Sequence, residues 1–359
     1  MKSPKKRTAA AWITVGAAAA LLTAALVGSR FPDIAAQAAA LIMDAPQSSA
    51  VPAASQPASS AAPQPEPEPE SASSADASSA APEPPAESTT AVGGTVTEVD
   101  LSLGGNLIRD AIRIKSKSAS TIDIDALRAQ PVELQIADTD APQVLIYHTH
   151  TSEAYLDEFT GTYPANFDVR TRDAAHSVVR VGDAIAEKLN AAGITTIHDT
   201  AYHDDPMYRG AYGRSLQTVA QYRAAYPSIV VTLDVHRDCL QQADGTRLKP
   251  TVTVNGQKAA QIMLVSGCDD NGTLGFPDWR KNMCFSIHLQ DILTRKYTGL
   301  ARPIYCWNVR YNEHVTPTSL LVEFGTEANT DEEAAYSGAL FADALIELLN
   351  EYRAQPQSN

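Results

Sequence analysis

Two patterns of apolar residues alternate along the chain from residue 144 onward. Short runs of consecutive apolar residues are typical of strands that are buried on both faces of a sheet. Between these runs, apolar residues recur at every third or fourth position, which predicts helices with one buried face. The short runs predict strands at 144–147, 195–198, 229–235, 304–309 and 320–324, and the periodic stretches predict helices at 177–192, 214–225 and 279–296.

Two local signals extend this pattern. Asn255-Gly256 separates apolar stretches at 251–254 and 260–265, and this dipeptide is a cue for a β-hairpin. Thr330 is followed three residues later by Glu333, which forms a capping box and predicts a last helix that ends near residue 352. Because strands and helices alternate, we expect an α/β fold, a three-layer sandwich with a mostly parallel central sheet, in a domain at 100–354.

The amino terminus has a different pattern. A basic tip at 1–7, with Lys2, Lys5, Lys6 and Arg7, precedes an uncharged run at 8–29. This run has about the 20 residues that a helix needs to cross a membrane, and the basic flank predicts that its start lies in the cytoplasm. We therefore expect a transmembrane helix at 8–29. A cleaved signal peptide with a site among the small residues at 34–38, or a buried Ala-rich helix, are the alternatives.

The stretch at 30–99 is rich in Pro, Ala, Ser and Glu, and its part at 45–95 has no Lys, no Arg and no aromatic residue. Such a composition buries too little apolar surface to offset the entropy of ordering, so we expect an extracytoplasmic linker. The net charge of −14 disfavours nucleic acid as a partner. The four cysteines show no C-x-x-C spacing, which disfavours a thiolate zinc site but leaves one or two disulfides possible.

Polar clusters follow three of the predicted strands, at 148–153, 234–238 and 323–329. Parallel strands bring their carboxyl ends to the same edge of a sheet, so these clusters should meet there. His150, His236 and nearby carboxylates offer nitrogen and oxygen donors that suit tetrahedral zinc with one position left for water. The chain has no H-E-x-x-H sequence, so we expect a hydrolytic zinc site that is built on strand ends rather than on a helix.

Five ordered blocks of the sequence resemble the stage II sporulation protein P family. They are Y-H-T-H-T-S-E at 147–153, D-x-x-M-Y-x-x-A-Y-x-R-S at 204–215, D-V-H-R-D at 234–238, R-Y-N at 310–312 and L-V-E-F-G at 321–325. The resemblance runs from about residue 101 to 351 and includes the amino-terminal span.

The resemblance implies a zinc-dependent peptidoglycan hydrolase of the N-acetylmuramoyl-L-alanine amidase type. Such an enzyme cuts the amide between muramic acid and L-alanine and, in this family, also stem-peptide cross-links. The implied process is engulfment of the forespore, at the cell membrane and on its extracytoplasmic side. The implied partners, besides peptidoglycan, are the sporulation proteins D and M.

Functional residues are carried over by position. His150 and His236 match the metal-binding histidines of the family, and Glu153 matches a functional glutamate. The third zinc ligand stays open between Glu153 and His176, because the broader amidase family places a glutamate where this chain has His176. Glu323 begins the pattern E-x-G-x-x-x-N and is expected to be the general base that takes a proton from water and returns it to the departing amine.

Two other functions stay open. The chain could be a non-catalytic, peptidoglycan-binding subunit of an engulfment complex, or a zinc endopeptidase that acts only on cross-links. Arg237 could bind an anionic peptide, stabilise an oxyanion or pair with Asp234 or Asp238. The block with Tyr208, Tyr212 and Arg214 could line the substrate groove or attach a loop to the following helix.

Overall fold

A computed structural model describes residues 91–353 of this chain. The basic tip at 1–7, the predicted transmembrane helix at 8–29 and the linker up to residue 90 lie outside the described residues. Within residues 91–353, no helix combines the length and the apolar character that a membrane crossing requires.

The described residues form twelve strands and five helices, with two single 3₁₀ turns at Ala174–His176 and Glu313–Val315. The strands are β1 (Val92–Val99), β2 (Leu107–Arg109), β3 (Ile112–Ser116), β4 (Val144–Tyr147), β5 (Thr162–Pro164), β6 (Thr196–His198), β7 (Val231–Asp238), β8 (Arg247–Val254), β9 (Gln257–Ala260), β10 (Ile262–Gly267), β11 (Ile304–Trp307) and β12 (Thr318–Thr326). The helices are α1 (Ile124–Ala129), α2 (Val178–Ala191), α3 (Ala211–Ala225), α4 (Trp279–Lys296) and α5 (Asp331–Glu351).

Eight strands form the main sheet in the order β2-β3-β11-β10-β12-β7-β4-β6. Five of the seven neighbouring pairs are parallel, so the sheet is mostly parallel as predicted. The pairs β10–β12 and β2–β3 are antiparallel. The strands β12, β7 and β4 are neighbours, so the three polar clusters of the sequence meet at one edge of the sheet.

The two faces of this sheet are covered unequally. One face packs against α2, α4 and α5 through alternate strand residues such as Val144, Ile262 and Val322. On the other face, α3 packs against the β4 end through Val219, Leu145 and Tyr147. The predicted three-layer sandwich therefore has an incomplete third layer in the described part of the chain, and the remaining area of that face forms an open cleft.

The helix ends follow local signals in the sequence. The Ser177 side chain accepts a hydrogen bond from the Val179 backbone and begins α2. At the start of α5, Thr330 and Glu333 form the predicted capping box reciprocally. The helix α4 has the predicted bounds, whereas α3 begins three residues before the predicted start.

A second sheet has the strand order β5-β1-β8-β9. Its strand β1 lies within 30–99, so the fold includes residues that the sequence analysis placed in the linker. The predicted turn at Asn255-Gly256 is present, with both residues at positive φ, as a type I′ hairpin needs. The predicted strand at 260–265 is divided at Gln261 between β9 and β10, which belong to different sheets.

The four cysteines are free thiols. The disulfides that the sequence allows are therefore not formed in the structure.

Candidate metal centre

The segment after β4 turns back over the carboxyl end of its own strand. Asp234 on the neighbouring strand β7 holds this turn, because its carboxylate accepts hydrogen bonds from Thr149 N at 2.7 Å and from Thr149 Oγ1 at 2.6 Å. Asp204 fixes the following residues of this segment, because its carboxylate accepts hydrogen bonds from the Ser152 hydroxyl at 2.6 Å and from the Arg170 guanidinium at 2.6 Å. These buried contacts fix the backbone on both sides of His150.

His150, Glu153 and His236 converge at this edge, with one donor atom of each within 4.8 Å of the others. Glu153 Oε1 lies 3.4 Å from His150 Nδ1, and Glu153 Oε2 lies 3.3 Å from His236 Nδ1. Two ligands of a tetrahedral zinc ion, each at about 2.0–2.1 Å from the metal, are about 3.3–3.4 Å apart. All three side chains are buried. The spacing and the chemistry of this donor set therefore fit zinc.

The imidazole of His236 lies between two carboxylates. Its Nδ1 faces Glu153, and its Nε2 lies 2.9 Å from Asp234 Oδ1, although at an angle outside hydrogen-bond geometry. Burial lowers the pKa of His236, but the negative charges of Asp234 and Glu153 outweigh burial and raise it well above its ordinary value. A carboxylate beside the outer nitrogen of a metal-binding histidine orients the ring and increases its basicity.

Glu153 is held as a carboxylate by its surroundings. Burial opposes its ionisation, but the charge of His236 and the contacts with His150 and His236 bring its pKa well below the ordinary value. The backbone N–H of Arg237 also donates a hydrogen bond of 3.0 Å to Glu153 Oε2. The Arg237 guanidinium donates instead to the carbonyls of Ala154 and Val169, so it fixes the loop after β4 and forms no ion pair with Asp234 or Asp238.

Glu323 lies beside these three residues, on the floor of the same cleft. It is the register partner of His236 across the parallel pair β12–β7. Its Oε2 is buried and has no hydrogen-bond partner among the described residues. Burial raises the pKa of Glu323 to about 8, and the nearby charges of Asp238 and Glu153 act in the same direction. The geometry thus provides a carboxylate with a free oxygen next to the three donors.

A bulge follows Glu323 and explains the rest of the pattern E-x-G-x-x-x-N. The register of β12 against β7 shifts between Glu323 and Thr326, and Gly325 has φ +65°. A Cβ at Gly325 would lie 2.3 Å from Asn329 Oδ1. This oxygen accepts a hydrogen bond from Thr326 N, while Asn329 Nδ2 donates to Pro250 O. The glycine and the asparagine therefore shape the strand end that presents Glu323.

His176, the alternative third ligand, lies in a different cluster. Its Nδ1 is 2.5 Å from Asp331 Oδ2 and 3.1 Å from Asp157 Oδ1. The contact with Asp331 is the main cause of a raised pKa for His176. The structure brings Glu153, and not His176, together with His150 and His236.

Glu327, in the last of the three polar clusters, accepts a hydrogen bond from the Cys239 thiol and lies 3.8 Å from Arg247 Nε.

Aromatic side chains form one wall of the site. The ring of Tyr208 stacks on His150 with centroids 4.4 Å apart, and Tyr212 meets His150 edge-on at 5.6 Å. Arg214 donates to the carbonyls of His203 and Met207, so it attaches the preceding loop to α3. Of the two roles considered for this block, the tyrosines line the groove and the arginine attaches the loop.

The cleft extends far beyond the metal centre and has a volume of about 610 Å³. The far wall of the cleft, which was not predicted from the sequence, includes Lys115, Lys117, Tyr305 and Trp307. The available signal was the alternation in β3 and β11, where buried apolar residues alternate with Lys115, Tyr305 and Trp307.

Comparisons with known proteins bear on this site. A family model described as stage II sporulation protein P matches residues 30–346, which include both histidines and Glu323. The stage II sporulation protein P of Bacillus subtilis (strain 168) is 26% identical over 220 residues, covering 58% of this chain and 51% of that protein. The chain therefore spans about half the length of this curated relative.

Two solved structures are similar over part of the chain. An N-acetylmuramyl-L-alanine amidase of Mycobacterium abscessus is 14% identical with a TM-score of 0.34, covering 59% of this chain and 99% of that one. An N-acetylmuramoyl-L-alanine amidase of Clostridium difficile 630 is 14% identical with a TM-score of 0.34, covering 60% and 97%.

Proposed function

Because this chain belongs to the stage II sporulation protein P family, we propose that it is a zinc-dependent peptidoglycan hydrolase. Its substrate bond is the amide between N-acetylmuramic acid and L-alanine, with stem-peptide cross-links as a second target. The proposal includes a membrane anchor at 8–29, a catalytic domain in the intermembrane space of the sporulating cell, and the sporulation proteins D and M as partners in engulfment.

One observation carries the catalytic part of this proposal. Three buried donors, His150, Glu153 and His236, have the spacing of zinc ligands. Glu323 lies next to them with an oxygen that has no hydrogen-bond partner among the described residues. A closed structural zinc site has four protein ligands and needs no further carboxylate. Three ligands beside a free carboxylate at the floor of an open cleft suit hydrolysis.

In the proposed hydrolysis, metal binding, proton transfer and ligand orientation belong to different residues. Zinc, when bound by His150, Glu153 and His236, supplies Lewis-acid polarisation of the scissile carbonyl and acidifies water. Glu323 accepts a proton from the attacking water and returns it to the nitrogen of the departing amine. Burial raises the pKa of Glu323, which favours the return of the proton to the amine. Asp234 orients His236 from the opposite side of its ring.

Digestion of purified sacculi tests the proposal. Wild-type protein should release soluble wall fragments, chelation should stop the release, and added zinc should restore it. His236→Ala and Glu323→Ala should each lower the rate by about 10²-fold or more. His288→Ala, on the opposite face of the sheet in α4, is the matched control and should digest sacculi like the wild type. Equal digestion by the chelated protein and by both variants would contradict a zinc hydrolase.

Analysis of the released fragments separates the alternatives. An amidase yields glycan without peptide together with peptides that begin with L-alanine, whereas an endopeptidase restricted to cross-links yields shortened bridges and leaves the muramoyl amide intact. Binding to sacculi without any release, in the presence of zinc, would favour the non-catalytic subunit.

A further inference from the structure

Two lysines of the cleft differ from the other lysines of the fold. Residues 91–353 include seven lysines, and five of them form ion pairs with carboxylates. Lys115 and Lys117 form no ion pair with any described residue. The paired lysines are Lys188, Lys249, Lys258, Lys281 and Lys296.

Both unpaired lysines lie in the same cleft as the metal centre. Lys115 on β3 is the register partner of Tyr305 on β11, and Tyr305 is the register partner of Val265 on β10. The next strand along this row is β12, where Leu321 is the register partner of Val265 and Glu323 lies two residues further along the strand. Three strand spacings of about 4.8 Å and a rise of about 7 Å over two residues place the backbone of Lys115 roughly 16 Å from that of the proposed base.

The position of Lys117 is fixed by its neighbours. Its ammonium group lies 5.6 Å from the centroid of Tyr305 and 5.3 Å from that of Trp307, which are cation–π distances. The next residue, Ser118, donates its hydroxyl to Asp270, three residues after the end of β10. Lys117 is therefore held at the wall of the cleft.

The charges along the cleft are segregated. The acidic residues that line it, Glu153, Asp238 and Glu323, lie toward the metal centre. Two arginines also line the cleft: Arg302 is compensated by Asp238 at 2.8 Å, and Arg237 lies beside Glu153 at the metal centre. Among the described residues, the far end therefore has two positive charges without an ion pair, in a chain with a net charge of −14. Burial and the charge of Lys115 lower the pKa of Lys117.

We propose that Lys115 and Lys117 form a subsite for a carboxylate on the peptide part of the substrate. This inference rests on the proposed function and adds to it the direction in which the substrate binds. The peptide would run from the metal centre across β12, β10 and β11 toward β3. An extended peptide rises by about 3.3–3.6 Å per residue, so the carboxylate is about four to five residues from the scissile bond. Two ammonium groups match the negative charge of a carboxylate better than they match the uncharged hydroxyl groups of a sugar.

The test uses the full chain loaded with zinc and two matched substrates, which are muropeptides with free and with amidated peptide carboxylates. For the free form, Lys115→Ala/Lys117→Ala should raise KM about tenfold and leave kcat within about twofold. For the amidated form, KM should be the same for the variant and the wild type. Lys281→Ala/Lys296→Ala removes the same charge from α4 on the opposite face and should change neither KM. An unchanged KM, or an equal rise for both substrates, would overturn the subsite.

Binding without hydrolysis separates this inference from the proposed function. The affinity of Glu323→Gln protein for an isolated peptide with free carboxylates should fall about tenfold when both lysines are replaced, and should weaken with salt. This result would support the subsite even if the wild-type chain hydrolysed no sacculi. If the lysine changes instead weakened binding of glycan strands stripped of peptide, the subsite would belong to the sugar and the inference would be wrong.

Discussion

His236 on β7 and Glu323 on β12 are register partners across neighbouring parallel strands. Residues in register point to the same face of a sheet, so this pairing places the proposed base beside a proposed metal ligand. The two residues lie on different strands and make different contacts. Metal binding and proton transfer can therefore be separated by substitution.

The first prediction concerns this separation. Glu323→Gln should retain zinc, because Glu323 is not one of the three converging donors. Its rate of wall hydrolysis should nevertheless fall by about 10²–10⁴-fold, since an amide cannot accept the proton of water. His236→Ala should lose both zinc and activity. The measurements are zinc content by mass spectrometry and the rate of fragment release.

The control for this prediction is Glu332→Gln, the same change at an exposed position in the first turn of α5. It should keep both zinc and activity. A Glu323→Gln protein that loses zinc to the same extent as His236→Ala would show that Glu323 is a ligand rather than a base.

The second prediction concerns the bulge after Glu323. Gly325→Ala should lower the free energy of unfolding by about 2 kcal/mol or more, because the residue has φ +65° and its Cβ would meet Asn329 and Ala260. Gly213→Ala is the contrasting change, since a Cβ there meets nothing within 4 Å and the residue is in α3. It should stabilise the protein by about 0.5–1 kcal/mol. Urea unfolding of both variants measures the difference, and equal effects would contradict the bulge geometry.

The third prediction concerns acid stability. Burial would raise the pKa of Asp270, but hydrogen bonds from Ser118, Ala119 and Ser120 lower it to about 2. A carboxyl group with a folded-state pKa below its unfolded value of about 3.9 stabilises the fold above that value and loses this effect as the pH falls toward about 2.

Asp270→Asn should accordingly be less stable than the wild type at pH 7, and the difference should shrink between about pH 4 and pH 2. Denaturant unfolding at several pH values measures it. Asp138→Asn, at an exposed position, should show little difference at any pH. A stability difference for Asp270→Asn that stays constant down to pH 2 would contradict the role of its ionised form.

Much of the main sheet could be predicted because its signals are local. The apolar run Val144–Tyr147 is a strand, the helix α4 has its predicted bounds, and Thr330 caps α5 through Glu333. The meeting of His150, Glu153 and His236 also followed from a local feature, since polar residues that end parallel neighbouring strands share one edge.

Other parts of the fold could not be predicted from the sequence, because they depend on contacts between distant segments of the chain. The strand β1 pairs with β5 and β8, which lie far along the chain, so its own composition could not show that it is a strand. The division of 260–265 at Gln261 depends on the pairing of Ile262 with Phe324. The far wall of the cleft combines β3 with β11, and neither strand alone indicates a binding surface.

The attachment of β1 has a mechanical consequence. Val96 to Val99 lie in parallel register with Arg247 to Pro250 of β8, and the carbonyls of Leu248 and Pro250 accept hydrogen bonds from Thr326 and Asn329, just after Glu323. Tension applied to the chain ahead of residue 91 would load the β1–β5 and β1–β8 hydrogen bonds in shear. A pull from the amino terminus would thus reach, through β8, the edge of the sheet that carries Glu323.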